Sequence, residues 1–323
     1  MNNLIRRLGN SDVTVSALGL GCWPLAGMTR EGITREDAIA TVRTAFESGV
    51  THFDTAYCYG ENGESERAIA AAIAGNRDAV EIAGKCGIHW EADRKQCVNG
   101  QPDRLRREVD ESLSRLSTDH LDLLYLHAPD PEVPIEESAS ALHGICESGK
   151  ARAIGASNMS VDQLECFHAV CPLSACQMPY NMLQRGIETS VLPWCQKNNV
   201  AMVVYWPLMK GLLTGTMSED RVFPLSDSRH KYPMFQGIEF KKNLRFVDEL
   251  RPIAARLECA VPDLVLAWTA EQDGITSVLF GATSPHQVFE NVRSMTVTLD
   301  DQARVDIREA IHNRGTIIGR RAV

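Results

Sequence analysis

The 323-residue chain has no apolar stretch near the ~20 residues needed to cross a bilayer, and residues 1–7 lack the apolar core of a signal peptide. A cytoplasmic, non-membrane protein is the expectation. Positive charge is not in excess: the formal net charge is -9, which disfavours nucleic acid or anionic membrane as a partner. The ten cysteines form neither CxxC pairs nor Cys/His ligand spacings, so a disulfide framework and a metal site are both unexpected. They read as reduced thiols, mostly small buried hydrophobes. A Rossmann dinucleotide site is excluded because Gly19-Leu20-Gly21-Cys22-Trp23 lacks the third glycine of G-x-G-x-x-G and no helix starts there. No linker, low-complexity stretch or block of like charge divides the chain, and residues 1–323 read as one domain.

What is present is alternation. Short β-rich runs at 16–21, 51–54, 80–85, 121–127, 151–155, 175–179, 201–205 and 277–280 alternate with helical patterns at 35–48, 65–74, 102–116, 135–148, 161–169, 188–197 and 285–293. Eight β/α repeats predict parallel strands joined by right-handed crossovers and closed into a (β/α)8 TIM barrel of the α/β class, with extra helices. Ahead of the first strand, residues 4–8 and 13–15 flank Gly9-Asn10-Ser11-Asp12 and predict a hairpin that closes the amino-terminal end. Segments 86–101, 209–242 and the tail from 313 fit no repeat and are expected to be long loops over the opposite rim.

Four ionisable residues end three successive apolar runs: Asp54 and Tyr59 in Phe53-Asp54-Thr55-Ala56-Tyr57-Cys58-Tyr59-Gly60, Lys85 after Val80-Glu81-Ile82-Ala83-Gly84, and His127 after Leu121-Asp122-Leu123-Leu124-Tyr125-Leu126. Each has an ordinary reading as a cap, rim aromatic, surface amine or core imidazole. On neighbouring parallel strands they converge at the carboxyl edge, where such sheets bind ligands. Hydride reduction of a carbonyl needs a proton for the developing alkoxide, and Tyr59 suits that role if a cation favours its phenolate. Lys85 supplies the cation, Asp54 holds Lys85, and His127 orients the substrate oxygen. Cys58 and Cys86 flank Tyr59 and Lys85, where oxidation would affect activity.

These motifs, with Gly63-Glu64-Ser65-Glu66, Gly149-Lys150-Ala151-Arg152-Ala153-Ile154-Gly155-Ala156-Ser157-Asn158 and Gln177-Met178-Pro179-Tyr180-Asn181, resemble the aldo-keto reductase superfamily over nearly the whole chain. The likeness is to the bacterial-type or potassium-channel-β-like branch rather than the aldose reductase branch. It implies a barrel that binds a nicotinamide cofactor without a Rossmann domain, and the catalytic tetrad falls on Asp54, Tyr59, Lys85 and His127. By the same resemblance Ser157, Asn158 and Gln177 hold the nicotinamide carboxamide and Tyr205 stacks on the ring. Gly21, Cys22, Trp23, Asp54, Trp206, Pro207, Leu208, Lys210, Gly211, Gly281, Thr283, Gln287, Glu290 and Asn291 complete the expected cofactor contacts.

Gly281, Ala282 and Gln287 stand where the best-known members place a lysine, a serine and an arginine, which removes a charge-assisted partner for an adenosine 2'-phosphate. Branches with the Gly-Ala and Gln pattern still use NADPH, so NADP is the expected cofactor with NAD the alternative. Trp23, Tyr59, His89, Trp90, His127 and Trp206, with Pro129, are expected to line the substrate pocket, and segments 227–237 and 314–323 to close over it. The expected activity is NADP-linked interconversion of an aldehyde or ketone and its alcohol, with no metal. The alternatives are a nucleotide-binding regulatory subunit of low turnover and a sugar or polyol dehydrogenase running oxidatively.

Overall fold

The alternation closes into a barrel. In the computed structural model, which describes residues 4–27, 32–224 and 227–317, an antiparallel hairpin of β1 (Ile5–Arg7) and β2 (Thr14–Ser16) leads into β3 (Leu18–Gly21), the first of eight parallel barrel strands. There follow α1 (Arg35–Glu47), β4 (His52–Asp54), α2 (Glu64–Ala72), β5 (Glu81–Cys86), β6 (Ile88–Trp90), β7 (Gln96–Val98), α3 (Pro102–Leu116), β8 (Leu123–Leu126), α4 (Ile135–Glu147), β9 (Ile154–Ser157), α5 (Val161–Val170), β10 (Ala175–Pro179) and α6 (Val191–Lys197). The chain ends with β11 (Ala201–Tyr205), α7 (Gly237–Arg256), α8 (Val261–Glu271), β12 (Ile275–Gly281), α9 (Pro285–Arg293) and α10 (Asp301–Arg314). Around the barrel the order is β3-β4-β5-β8-β9-β10-β11-β12, closed by β12 pairing with β3. No helix among the described residues is long and apolar enough to cross a membrane.

Local chemistry accounts for the boundaries. Thr34 and Ser160 cap α1 and α5 with reciprocal capping boxes, and Pro102 opens α3 where its missing N–H costs nothing. The β1–β2 hairpin plugs the barrel floor: Leu8, Val13 and Val15 are buried in one cluster with Leu123, Ala175 and Val203 from the strands and Ala153 just before β9. Above that floor Tyr125 fills the interior, and it does so because residue 155 has no side chain. A Cβ on Gly155 would sit 2.4 Å from the Tyr125 ring carbons.

Strand alternation sends every second residue inward. Ala83 on β5, Tyr125 on β8, Ala175 on β10 and Val203 on β11 belong to the interior cluster, whereas Phe53, Ile82, Leu124 and Met202 pack outward under the helices. The inward series therefore ends, at the carboxyl mouth, on Asp54, Lys85, His127, Ser157, Gln177 and Tyr205.

Three sequence expectations are corrected. Segment 86–101 is not a plain loop but carries the antiparallel pair β6–β7. Segment 209–242 contains 3-10 turns at Met209–Thr214, Ser228–Lys231 and Pro233–Phe235, and its last residues begin α7. The tail's first residues, 313 and 314, finish α10, whose Arg314 guanidinium is buried against Glu239 (2.7 Å) and Asn243 (2.8 Å) of α7. Closure by residues 318–323 lies outside the described residues.

Candidate active site

Asp54 ends β4 and Lys85 lies one residue before the end of β5, and both side chains are buried at the barrel mouth. The Lys85 ammonium donates to Asp54 Oδ1 at 2.5 Å, to the Thr55 carbonyl at 2.9 Å and to the Tyr59 phenol oxygen at 3.3 Å. Asp54 Oδ2 accepts from Gln177 Nε2 at 2.7 Å, so both carboxylate oxygens are satisfied without water. Breaking such a buried pair costs about 3–5 kcal/mol, because the remaining charge is stranded.

Tyr59 is not on a strand. It rides the loop between β4 and α2, which is pinned at several points. Thr55 and Ser65 hydroxyls bond at 2.8 Å, Ser65 N–H donates to the Tyr59 carbonyl at 3.3 Å, and Arg115 of α3 donates to the Tyr57 carbonyl at 3.3 Å. From the other side, Trp90 Nε1 and Gln96 Nε2 of the β6–β7 flap donate to the Cys58 carbonyl at 3.0 and 3.2 Å. His127 continues β8: its N–H donates to the Cys86 carbonyl at 2.9 Å and its own carbonyl accepts from Asn158 Nδ2 at 3.1 Å. The Tyr59 and His127 rings meet edge-on at 5.8 Å, and Trp23 meets Tyr59 edge-on at 5.1 Å.

The electrostatics correct one expectation. Lys85 was expected to draw the phenol's pKa down. Instead burial, followed by the Asp54 carboxylate, holds Tyr59 well above its ordinary value, since Asp54 compensates the ammonium more closely than the phenol does. Burial, followed by the Lys85 charge, holds His127 well below the ordinary histidine range. Near neutral pH the mouth therefore presents a protonated phenol and a neutral imidazole. Cys58 Sγ lies 3.6 Å from His127 Nδ1. Burial pushes that thiol up to about 12, so it stays protonated and can donate there, leaving the Nε2 proton as the imidazole's donor. Sequence reading flagged Cys58 only for oxidation. Its place immediately before Tyr59 on the same loop was the available signal.

The residues expected to hold a nicotinamide ring form one network joined to the tetrad. Tyr205 donates to Asn158 Oδ1 at 2.7 Å, Asn158 Nδ2 reaches Ser157 Oγ at 3.0 Å, Ser157 donates to the Gln177 carbonyl at 3.1 Å, and Gln177 reaches Asp54. Gly281 pairs with Gly21, which sets the start of α9 beside the same mouth. The described residues fit a large ligand there on two counts. Trp23 Nε1, next to Tyr59, is a buried donor with no partner among the described residues. Of the eight non-glycine residues with left-handed backbone among the described residues, Asn158, Trp206, Met209 and Lys210 follow strand ends at this rim, where strain is characteristic of binding sites.

Other expected contacts are placed as follows. The Lys210 ammonium lies over the Trp206 ring at 4.5 Å and the Tyr232 ring at 5.1 Å, so the 227–237 segment does reach the rim. Gln287 folds back, its Oε1 accepting from the Thr283 N–H at 2.8 Å. Asn291 donates to the Gln287 carbonyl at 2.7 Å and Glu290 lies 3.4 Å from exposed His286, so both are engaged within α9. Cys22 turns its sulfur back to the Leu20 carbonyl and offers the mouth only backbone. His89 does not join the pocket. Strand alternation sends Ile88 and Trp90 toward Tyr59 and sends His89 to the opposite face, where its Nδ1 is 3.6 Å from Glu108 Oε1 of α3.

Known proteins resemble this chain over most of its length. The model of the aldo/keto reductase family matches residues 17–312. An NADH-specific methylglyoxal reductase of Escherichia coli (strain K12) is 35% identical over 317 residues, covering 94% of this chain and 96% of that protein. The aldo-keto reductase yakc [NADP(+)] of Schizosaccharomyces pombe is 34% identical over 323 residues, covering 98% and 93%. The solved structure of the glycerol dehydrogenase AKR11B4 from Gluconobacter oxydans superposes with a TM-score of 0.90 at 33% identity, covering 98% of this chain and 97% of that one.

Proposed function

This chain belongs to the aldo/keto reductase family, on its bacterial side rather than the aldose reductase branch, and from that premise we propose that it reduces small aldehydes or ketones to alcohols with NADPH, Tyr59 giving the proton. The observation that carries the reading is the Lys85 ammonium bridging the Asp54 carboxylate and the Tyr59 phenol in a buried mouth.

Ser157, Asn158, Gln177 and Tyr205 would hold the nicotinamide end of the cofactor, and the first turn of α9 with Lys210 the phosphates. Bound nicotinamide supplies the hydride. The chain's own residues do the rest. The Tyr59 O–H and the His127 Nε2–H converge on the substrate oxygen and stabilise its negative charge as it develops. Tyr59 then passes its proton to that oxygen, and Lys85 steadies the phenolate left behind. The Trp23 and Trp90 rings, with Trp206 at the rim, keep water out and favour a compact substrate. Methylglyoxal and glycerol, named for two relatives, fall in that size class. Preference for NADPH rests on Lys210 at the rim, and the NADH-specific relative marks the alternative. The dehydrogenase relative favours a second reading, in which the same groups run in reverse on a polyol.

Titration with NADPH and NADH, followed by turnover on a carbonyl and polyol panel, tests this. Tighter NADPH binding and steady consumption with small aldehydes are expected. Tight nucleotide binding with negligible turnover on every compound would mean a regulatory role instead. The pH profile is a second check. With Tyr59 protonated above its usual range and His127 neutral below its own, neither titrates near neutrality, so reductive kcat should be level from about pH 6.5 to about pH 9. A limb inside that window would assign the proton to another group.

A further inference from the structure

The β6–β7 flap carries chemistry that carbonyl reduction does not use. His89 and Cys97 are cross-strand partners in the antiparallel register, and Glu91 lies two residues past His89, so period-two alternation sets the three side chains on one face. A ring nitrogen of His89, a carboxylate oxygen of Glu91 and the sulfur of Cys97 all lie within 4.8 Å of one another, the single such group of potential ligands among the described residues. His89 Nδ1 is buried and makes no hydrogen bond among the described residues, its nearest charged neighbour being Glu108 Oε1 at 3.6 Å. Imidazole, thiolate and carboxylate together are a zinc donor set. Metal–ligand lengths of about 2.0–2.3 Å place tetrahedral donors about 3.3–3.8 Å apart. Drawing in from 4.8 Å needs only side-chain rotation, and Glu91 is exposed and Cys97 half-buried, so their tips can move.

We propose that this face of the flap binds a zinc-class divalent ion through His89, Glu91 and Cys97, with water completing the tetrahedron. A linear scan for ligand spacing misses the site because strand pairing, not proximity in sequence, closes it. The opposite face of the same strand pair holds Ile88, Trp90 and Val98 against Cys58 and Tyr59. An ion joining the two strands therefore stiffens the cover of the catalytic phenol without touching it.

The test is titration of the reduced, full-length protein with Co2+ alone as the spectroscopic probe. One equivalent should bind, with a thiolate-to-cobalt charge-transfer band that Zn2+ then displaces. Cys97→Ser should abolish the band, and Cys166→Ser, at an exposed cysteine on α5, should leave it intact. Glu91→Gln changes only an exposed side chain and should weaken binding at least about tenfold in a folded protein. Absence of the band in the parent protein, its persistence in Cys97→Ser, or unchanged affinity in Glu91→Gln would each overturn the proposal.

Discussion

Tyr59→Phe is expected to lower turnover of carbonyl reduction at least about a hundredfold while the nicotinamide cofactor still binds. The substitution removes one oxygen and leaves the ring, whose edge contacts with Trp23 and His127 keep the loop packed. The proton must then come from a much poorer acid, the neutral imidazole of His127. The proposed cofactor contacts lie outside the Tyr59 loop, so binding measured by quenching of protein fluorescence should change little. Reduction at the parental rate would remove the phenol from the mechanism. Loss of cofactor binding in step with turnover would mean that residue 59 shapes the pocket rather than supplying the proton.

Lys85→Met should cost both activity and stability, and the two are separable. The ammonium is the shared partner of Asp54, the Thr55 carbonyl and the Tyr59 oxygen, so its loss leaves a buried carboxylate with Gln177 alone. Stranding that charge should destabilise the fold by about 3–5 kcal/mol, read as a lower denaturation midpoint. Turnover should fall about as far as in Tyr59→Phe, because the phenolate formed on proton transfer is no longer compensated. Adding Asp54→Asn removes the stranded charge and should recover most of the midpoint but none of the turnover. If the double variant regains both, Lys85 is a structural residue. If Lys85→Met keeps the parental rate, the phenol does not depend on it.

The ionisable barrel mouth was legible in the sequence for a simple reason. Asp54, Lys85 and His127 each come last in a run whose alternate residues point inward, so one periodicity forecasts both the barrel and the convergence of the three. Tyr59 was legible through its motif rather than its periodicity, since it lies on a loop. Where expectation failed, the missing information was contact between segments. Residues 86–101 hold few apolar alternations, and their strand character comes from pairing of β6 with β7. His89 was expected in the pocket alongside Trp90, and one step of alternation sends it to the other face. The pKa of Tyr59 was judged from Lys85 alone, yet burial, followed by the Asp54 carboxylate, raises it well above the ordinary value.

By itself, then, the order of residues determined the barrel, the hairpin beneath it and which strand ends carry ionisable groups, because these follow from local periodicity and turn chemistry that every segment expresses alone. Only the tertiary structure decided that Cys58 addresses His127, that α7 and α10 share a buried Arg314, and that His89 and Cys97 face one another on the flap. Those are meetings of residues far apart in the chain or on paired strands, and their energies depend on burial and on competing partners that no single segment contains.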